Sequence, residues 1–212
     1  AVVVYMLGYY HYFGLGVGIN YSVAFDYFQK GVELGDPEAM YMVGESYYFG
    51  HGRIYSGDHG LSWYIRSSDL GNTKAMIKIG LIYANGYGVE KSLDGAIHWY
   101  KKCADLGDAE GLFHLACTYE SFATAKTDLI ALKYYFKASN ANLSDAGSNR
   151  CKNALEKLCL KYKKNIVEIW MDATNENDSV KRETWQLLEE IEEEKEGPGY
   201  SLTKAHFGSN YS

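Results

Sequence analysis

Apolar residues recur at steps of three and four along most of the chain, in short runs broken by glycine-bearing connections. In "AMIKIGLIYAN" positions 76, 79, 80 and 83 fall on one helical face, and in "LDGAIHWYKKCADL" positions 96, 99, 100 and 103 do the same. Each pair of runs reads as two amphipathic helices joined by a turn such as "NGYGVEKS".

The pattern repeats every 36 residues. Gly14 and Gly16 recur as Gly50 and Gly52 and again as Gly86 and Gly88. Gly8, Gly44 and Gly80 share the step, continued by Ala116; so do His11, Tyr47, Tyr83 and Tyr119, and also Tyr27, Trp63 and Trp99. Gly35, Gly71 and Gly107 follow it too. A fixed period of this size marks a solenoid. The fourth unit is one residue short, so Ala131, Tyr134 and Tyr135 continue the series at an offset of 35, and Phe122 and Thr124 replace the glycine pair.

Capping residues stand where this scheme needs them. Asp36, Asn72 and Asp108 precede the first helices, and Asn20, Ser56, Ser92 and Thr127 precede the second, each with an oxygen for an orphan N–H. Pro37 takes a first helical position. Gly35, Gly71 and Gly107 end the second helices, where a left-handed residue is wanted. The small residues Gly8, Gly44 and Gly80 are expected to face Ala24, Gly60 and Ala96 and let paired helices approach. Tyr27, Trp63, Trp99 and Tyr134 are expected to fill the space between units.

"NGYG" has the look of a phosphate loop, but a phosphate loop occurs once, follows a strand and carries its Lys and Ser/Thr in place. This one occurs three times and follows a helix.

Composition narrows the class. Of 212 residues, 47% are hydrophobic and 23% charged, enough for a core; proline is limited to Pro37 and Pro198, as suits helices. A net charge of −6 argues against a general nucleic-acid binder. No apolar run reaches the roughly 18 residues that span a bilayer. The chain starts without Met and shows no charged leader with a cleavage site, as expected of an excised piece of something longer. Four Asn-x-Ser sequons, at Asn20, Asn142, Asn177 and Asn210, set a secretory-pathway lumen beside the cytoplasm as a possible address. Cys103, Cys117, Cys151 and Cys159 form no CxxC pair and read as buried reduced thiols. His11, His51, His59, His98, His114 and His206 have no ligand spacing, nucleophile partner or paired carboxylates around them, so neither a metal, a cofactor nor a catalytic set is expected.

The third unit, from Ala75 through Glu110, resembles a Sel1-like repeat, with the pattern A-x-x-x-L-G-x-x-Y-x-x-G-x-G-V…A-x-x-W-Y-x-K-A-A-x-x-G. The resemblance covers residues 3–145, in units starting near 3, 39, 75 and 111. Tetratricopeptide repeats run at 34 residues and lack the double-glycine turn. The resemblance implies an all-α, right-handed α-α superhelix of four helix-turn-helix repeats. It implies a non-catalytic adaptor for proteins or peptides, in bacterial signalling, host interaction or luminal protein-degradation complexes. A secreted branch of the family, linked to β-lactam binding or hydrolysis, carries cysteines eight apart in each repeat. Here Cys103 occupies the first such place and Leu112 approximates the second, so that pairing is absent.

In such solenoids the first helices line the concave side. The residues expected there are Tyr5, Tyr9, Tyr12 and Phe13; Tyr41, Glu45, Tyr48 and Phe49; Ile77, Leu81, Ala84 and Asn85; and Phe113, Cys117 and Glu120. Tyrosine suits a contact surface because one end is apolar and the other wet. The expected occupant is an extended or helical peptide segment.

Residues 146–197 are expected to cap the repeats. One long helix is predicted over 147–173, and a second over 179–196 with the stripe Trp185, Leu188 and Ile191 and the solvated run "EEIEEEKE". Residues 198–212 read as a tail. Val3, Val4 and Leu7 lack cover in this scheme, which leaves self-association through the first unit open. An adaptor is thus the leading reading; a secreted or luminal ligand-binding or hydrolase-type repeat protein and an end segment of a larger solenoid are the others.

Overall fold

The computed structural model describes residues 2–141 and 145–162. These form nine helices: α1 (Val2–Phe13), α2 (Tyr21–Glu33), α3 (Pro37–Phe49), α4 (Gly57–Asp69), α5 (Thr73–Asn85), α6 (Leu93–Asp105), α7 (Ala109–Ser121), α8 (Ala125–Ser139) and α9 (Asp145–Tyr162). Among the described residues there is no strand. Each helix packs on its sequence neighbours, the arrangement of a solenoid built from helical pairs. In addition α5 touches α7 and α7 touches α9, while no two successive second helices make comparable contact. The odd-numbered helices from α5 onward are therefore the more closely spaced row, and Lys74 and Lys78 of α5 reach back to α3. The odd-numbered helices are termed the inner row.

Local chemistry sets the helix ends. Asn20, Ser56 and Ser92 cap α2, α4 and α6, and Asp36, Asn72 and Asp108 cap α3, α5 and α7, each accepting a bond from a first-turn amide. The turns inside the first three units share one closure. The amides of Asn20, Ser56 and Ser92 donate to the carbonyls of His11, Tyr47 and Tyr83 at 2.8, 2.9 and 2.9 Å. Gly50 and Gly86 end their helices in the left-handed conformation, with φ of 71° and 74°, which a residue with a Cβ adopts only at a cost.

The fourth unit departs from this plan. The predicted cap Thr127 lies inside α8; Thr124 is the cap, and the two threonines bond reciprocally as a capping box. The residues that form a glycine turn elsewhere are wound onto the start of α8, which reaches 15 residues against 13 for α6. The remaining connection reverses through Ala123, at φ 54° the one non-glycine with positive φ among the described residues.

Packing within a unit depends on glycine. A Cβ on Gly44 would lie 2.7 Å from the Tyr64 ring, and one on Gly8 would lie 2.6 Å from the Phe28 ring; on Gly80 it would collide with Tyr100. The rings that fill the core are thus Phe28, Tyr64, Tyr100 and Tyr135, all buried. Their predecessors Tyr27, Trp63, Trp99 and Tyr134 were the expected core rings, but they are only half-buried. Trp63, Trp99 and Tyr134 sit at the edges of the core clusters, Trp99 against two of them and Tyr134 against two. Three carry a cation from the next helical turn: Lys30 over Tyr27, Arg66 over Trp63 and Lys102 over Trp99.

Cys151, Leu155 and Leu158 of α9 are buried against Leu132 and Ala138 of α8, so α9 occupies the place of a fifth first helix. It matches the start of the predicted long helix. The rest of that helix, the second C-terminal helix, the tail and the sequons at Asn142, Asn177 and Asn210 lie outside the described residues. Val3 and Leu7 are exposed on α1, whereas their counterparts Ala39 and Val43 on α3 are buried.

Candidate functional site

The inner row carries the residues expected to meet a partner, and its two halves differ. Over the first two units the rings form one connected array. Tyr9 lies between Tyr5 and Phe13, with centroids 5.9 and 4.4 Å away. Phe13 contacts Tyr12, whose ring meets Tyr21 and His51 at 5.1 and 5.5 Å. His51 stacks on Tyr21 and on Phe49, and Phe49 meets Tyr48 edge-on at 5.3 Å. Tyr48 and Tyr41 both flank Tyr64.

Exposure sorts this array. Phe13 and Phe49 are about half exposed, at 48% and 49%, while Tyr5, Tyr9, Tyr41 and Tyr48 are half-buried. Tyr12 belongs to the core, and its hydroxyl meets Nδ1 of His51 at 2.7 Å. Burial, with Glu38 adding to it, pushes the Tyr5 phenol up to about 12. Burial, followed by the charge of Glu45, raises Tyr12, Tyr41 and Tyr64 further. These phenols are neutral donors at any physiological pH.

Glu45 is the polar centre of the array. It accepts a 2.7 Å bond from the Tyr64 hydroxyl and pairs with Lys78 of the next unit at 3.1 Å. The Lys78 ammonium also lies 5.1 Å from the centre of the Phe49 ring. A carboxylate with so little exposure needs a hydrogen-bond donor, and the Tyr64 hydroxyl supplies it.

The second half of the row is sparser in rings. Ile77 is buried in the core, Leu81 and Ala84 pack against it, and Asn85 is exposed with its amide bonded to the Leu81 carbonyl at 2.8 Å. In the fourth unit Phe113 lies 5.9 Å from Tyr135 and under the Arg150 guanidinium at 4.8 Å. Glu120 repeats the role of Glu45 with other neighbours: it accepts from the Tyr135 hydroxyl at 2.7 Å and pairs with Lys157 of α9 at 3.0 Å. The Tyr135 hydroxyl also reaches the Cys117 sulfur at 3.3 Å.

The inner row therefore brings together Tyr5, Tyr9, Tyr12, Phe13, Tyr41, Glu45, Tyr48 and Phe49, and separately Phe113, Cys117 and Glu120. Sequence reasoning missed its cations: Lys74, Lys78, Arg150 and Lys157. Lys74 pairs with Glu38, one period before it, at 3.0 Å, and that spacing was readable. The other pairings depend on how neighbouring units stagger.

Burial raises the thiols of Cys103, Cys117 and Cys151, the last to about 11, which keeps them from acting as thiolate nucleophiles. The residue facing the Cys103 sulfur is Gly111, next to the Leu112 that the sequence suggested. Among the described residues no three His, Cys, Asp or Glu side chains converge as a metal site would require, and no helix is long and apolar enough to cross a membrane.

Comparison with known proteins places this architecture. The backbone is similar to a Sel1 repeat protein from Oxalobacter formigenes, with TM-score 0.65 and 24% identity, over 74% of this chain and 62% of that one. It is also similar to a protective antigen of uropathogenic Escherichia coli strains that displays an SLR fold, with TM-score 0.63 and 26% identity, over 74% of this chain and 33% of that one. The chain thus spans less than two thirds of the length of either protein. No curated protein matches it in sequence. The model of the Sel1 repeat matches residues 2–36, 37–72, 73–108 and 127–143, more than half of the chain, and the chain belongs to the Sel1 repeat family.

Proposed function

We propose that this chain is a non-catalytic scaffold that binds a protein or peptide segment along its inner row. Sel1-repeat proteins generally mediate protein–protein interaction, and the rest of the reading concerns where. The observation that carries it is the connected aromatic array from Tyr5 to Phe49, with Phe13 and Phe49 left about half exposed at its surface. Interfaces are enriched in such rings, because they offer large area at small entropic cost.

The test is capture with photo-reactive cross-linking from native lysate, comparing wild type with a Tyr9→Ser/Tyr48→Ser/Phe49→Ser variant of unchanged helicity and melting temperature. Tyr12 is left intact because it is core. Loss of a specific captured partner with the variant is the expected result. Equal capture by both proteins would rule out the aromatic array as the binding surface.

A further inference from the structure

The ion pairs that join neighbouring units along the inner row share one orientation. In each, the cation is the more exposed member: Lys74 over Glu38 (60% against 35%), Lys78 over Glu45 (30% against 14%) and Lys157 over Glu120 (73% against 24%). At the end of α9, Lys161 lies over the buried Asp128 in the same way. Arg150, also exposed, rests on Phe113. Glu45 and Glu120 are tucked beneath tyrosine hydroxyls and Asp128 is buried, so the more exposed charges of these pairs are the cations of α5 and α9, with Arg150 and Lys78 set against rings. Between them α7 adds the exposed Glu110 and no cation. A uniformly acidic surface would not be built this way, and the chain as a whole is acidic.

The acidity has one source. Residues 183–196, "ETWQLLEEIEEEKE", hold seven glutamates and one lysine, a charge of −6, equal to the net charge of the entire chain. The same stretch carries Trp185, Leu187, Leu188 and Ile191. It thus pairs acid groups with apolar ones, as the inner row pairs cations with rings.

Reach permits an encounter. α9 is described as far as Tyr162, with Lys157 and Lys161 in its last turns. Residues 163–182 can span up to roughly 65 Å when extended. Successive inner helices at ordinary packing distance put α5 about 20 Å from α9.

We propose that the acidic segment 183–196 of the same chain docks on the inner row through the cations of α5 and α9. This rests on the reading of the inner row as a docking face. The segment then competes with any partner for that face, and a partner that displaces it carries acidic groups beside apolar ones.

Zero-length carbodiimide coupling of the full chain, followed by peptide mass spectrometry, tests this. Lys74–Glu38 and Lys157–Glu120 couple as internal controls. The expected result is links from Glu189–Glu196 to Lys74, Lys78 or Lys157, within one chain when isotopically light and heavy protein are mixed. These links disappear when the seven glutamates are changed to Gln, a substitution that leaves the repeats intact. Links only to outer-row lysines such as Lys30, Lys101 and Lys102, links only between chains, or control links alone would each overturn the proposal. The scaffold reading fails separately: inner-row links together with capture unaffected by the Tyr9/Tyr48/Phe49 variant would sink that reading and keep this one.

Discussion

The sulfur of Cys103 occupies the space that a side chain on Gly111 would need: a Cβ there would lie 2.6 Å from Sγ and 2.8 Å from the Cys103 Cβ. This contact sets the spacing between the third and fourth units. One earlier interface solves the same problem with the sizes exchanged, since a Cβ on Gly31 would lie 2.5 Å from the Cβ of Ala39. Between the second and third units Ser67 stands at the equivalent place, its hydroxyl bonded to the Pro37 carbonyl at 2.6 Å, and the buried Ala75 follows Ala39 by one period. Gly111→Ala is therefore expected to overpack the interface and cost roughly 1–3 kcal/mol. Adding Cys103→Gly recreates the Gly31–Ala39 arrangement. Urea denaturation of both single variants and the double variant should show a favourable coupling of about 1 kcal/mol or more. Strict additivity would show that the interface relaxes without the sulfur.

Much of this fold was readable from the chain because its signals are local. N-caps at Asp36, Ser56 and Asn72 and left-handed glycines at 50 and 86 are dictated by backbone chemistry within a few residues. The period then places each helix beside its counterpart. What was misread turned on finer geometry. Tyr27 and Phe28 are adjacent, and helical spacing does not settle which of two neighbouring rings faces a glycine on another helix. Thr124 and Thr127 both suit a cap, and the choice rests on how many turn residues wind onto α8. Tyr12 and Ile77 sit on the inner helices yet face the core. Lys78 and Lys157 find their carboxylates 33 and 37 residues back, off the period, because units stagger by an amount that only packing fixes.

Gly52 and Gly88 hold equivalent places in successive turns and have the same φ of 74°. Their surroundings differ. A Cβ on Gly52 would run into the Tyr21 carbonyl of the preceding unit, and one on Gly88 would meet nothing within 4 Å. Gly88→Ala then isolates the cost of the left-handed backbone, about 1 kcal/mol. Gly52→Ala adds a backbone collision between units and should be clearly worse by thermal melting. Equal losses would mean that the first and second units part readily at this turn.

The tyrosines predict how the protein fails in alkali. Burial raises Tyr5, Tyr12, Tyr41, Tyr48, Tyr64, Tyr100, Tyr134 and Tyr135 above the ordinary phenol value. Unfolded, each ionises near pH 10. Above that pH the native state holds more protons than the unfolded one, so stability declines as pH rises. It is fully present below about pH 10 and is lost from there upward, through about 12 for Tyr5 and higher for the most buried rings. The melting temperature should stay level to about pH 9 and fall steeply beyond 10. Phenolate absorbance should show one fraction titrating freely and another appearing only with loss of helicity. A single titration of all 20 tyrosines near pH 10 with helicity intact would contradict this burial pattern.

Tyr64, Glu45 and Lys78 predict a ranking. Tyr64 is fully buried, and its hydroxyl is bonded to a carboxylate that is itself only 14% exposed, whereas the Lys78 ammonium keeps access to water. Hydrogen bonds to charged groups in such settings contribute about 1.5–3 kcal/mol. Tyr64→Phe removes this bond while preserving the ring against Gly44, so it should cost within that range. Glu45→Ala should cost a similar amount, because it strands the buried hydroxyl. Lys78→Ala should cost less than about 1 kcal/mol, as expected of a partly solvated ion pair. Chemical denaturation of the three variants gives the order directly. If Lys78→Ala proves as damaging as Tyr64→Phe, the cation is an integral strut between units, and its half-buried position on the inner row serves stability rather than contact with a partner.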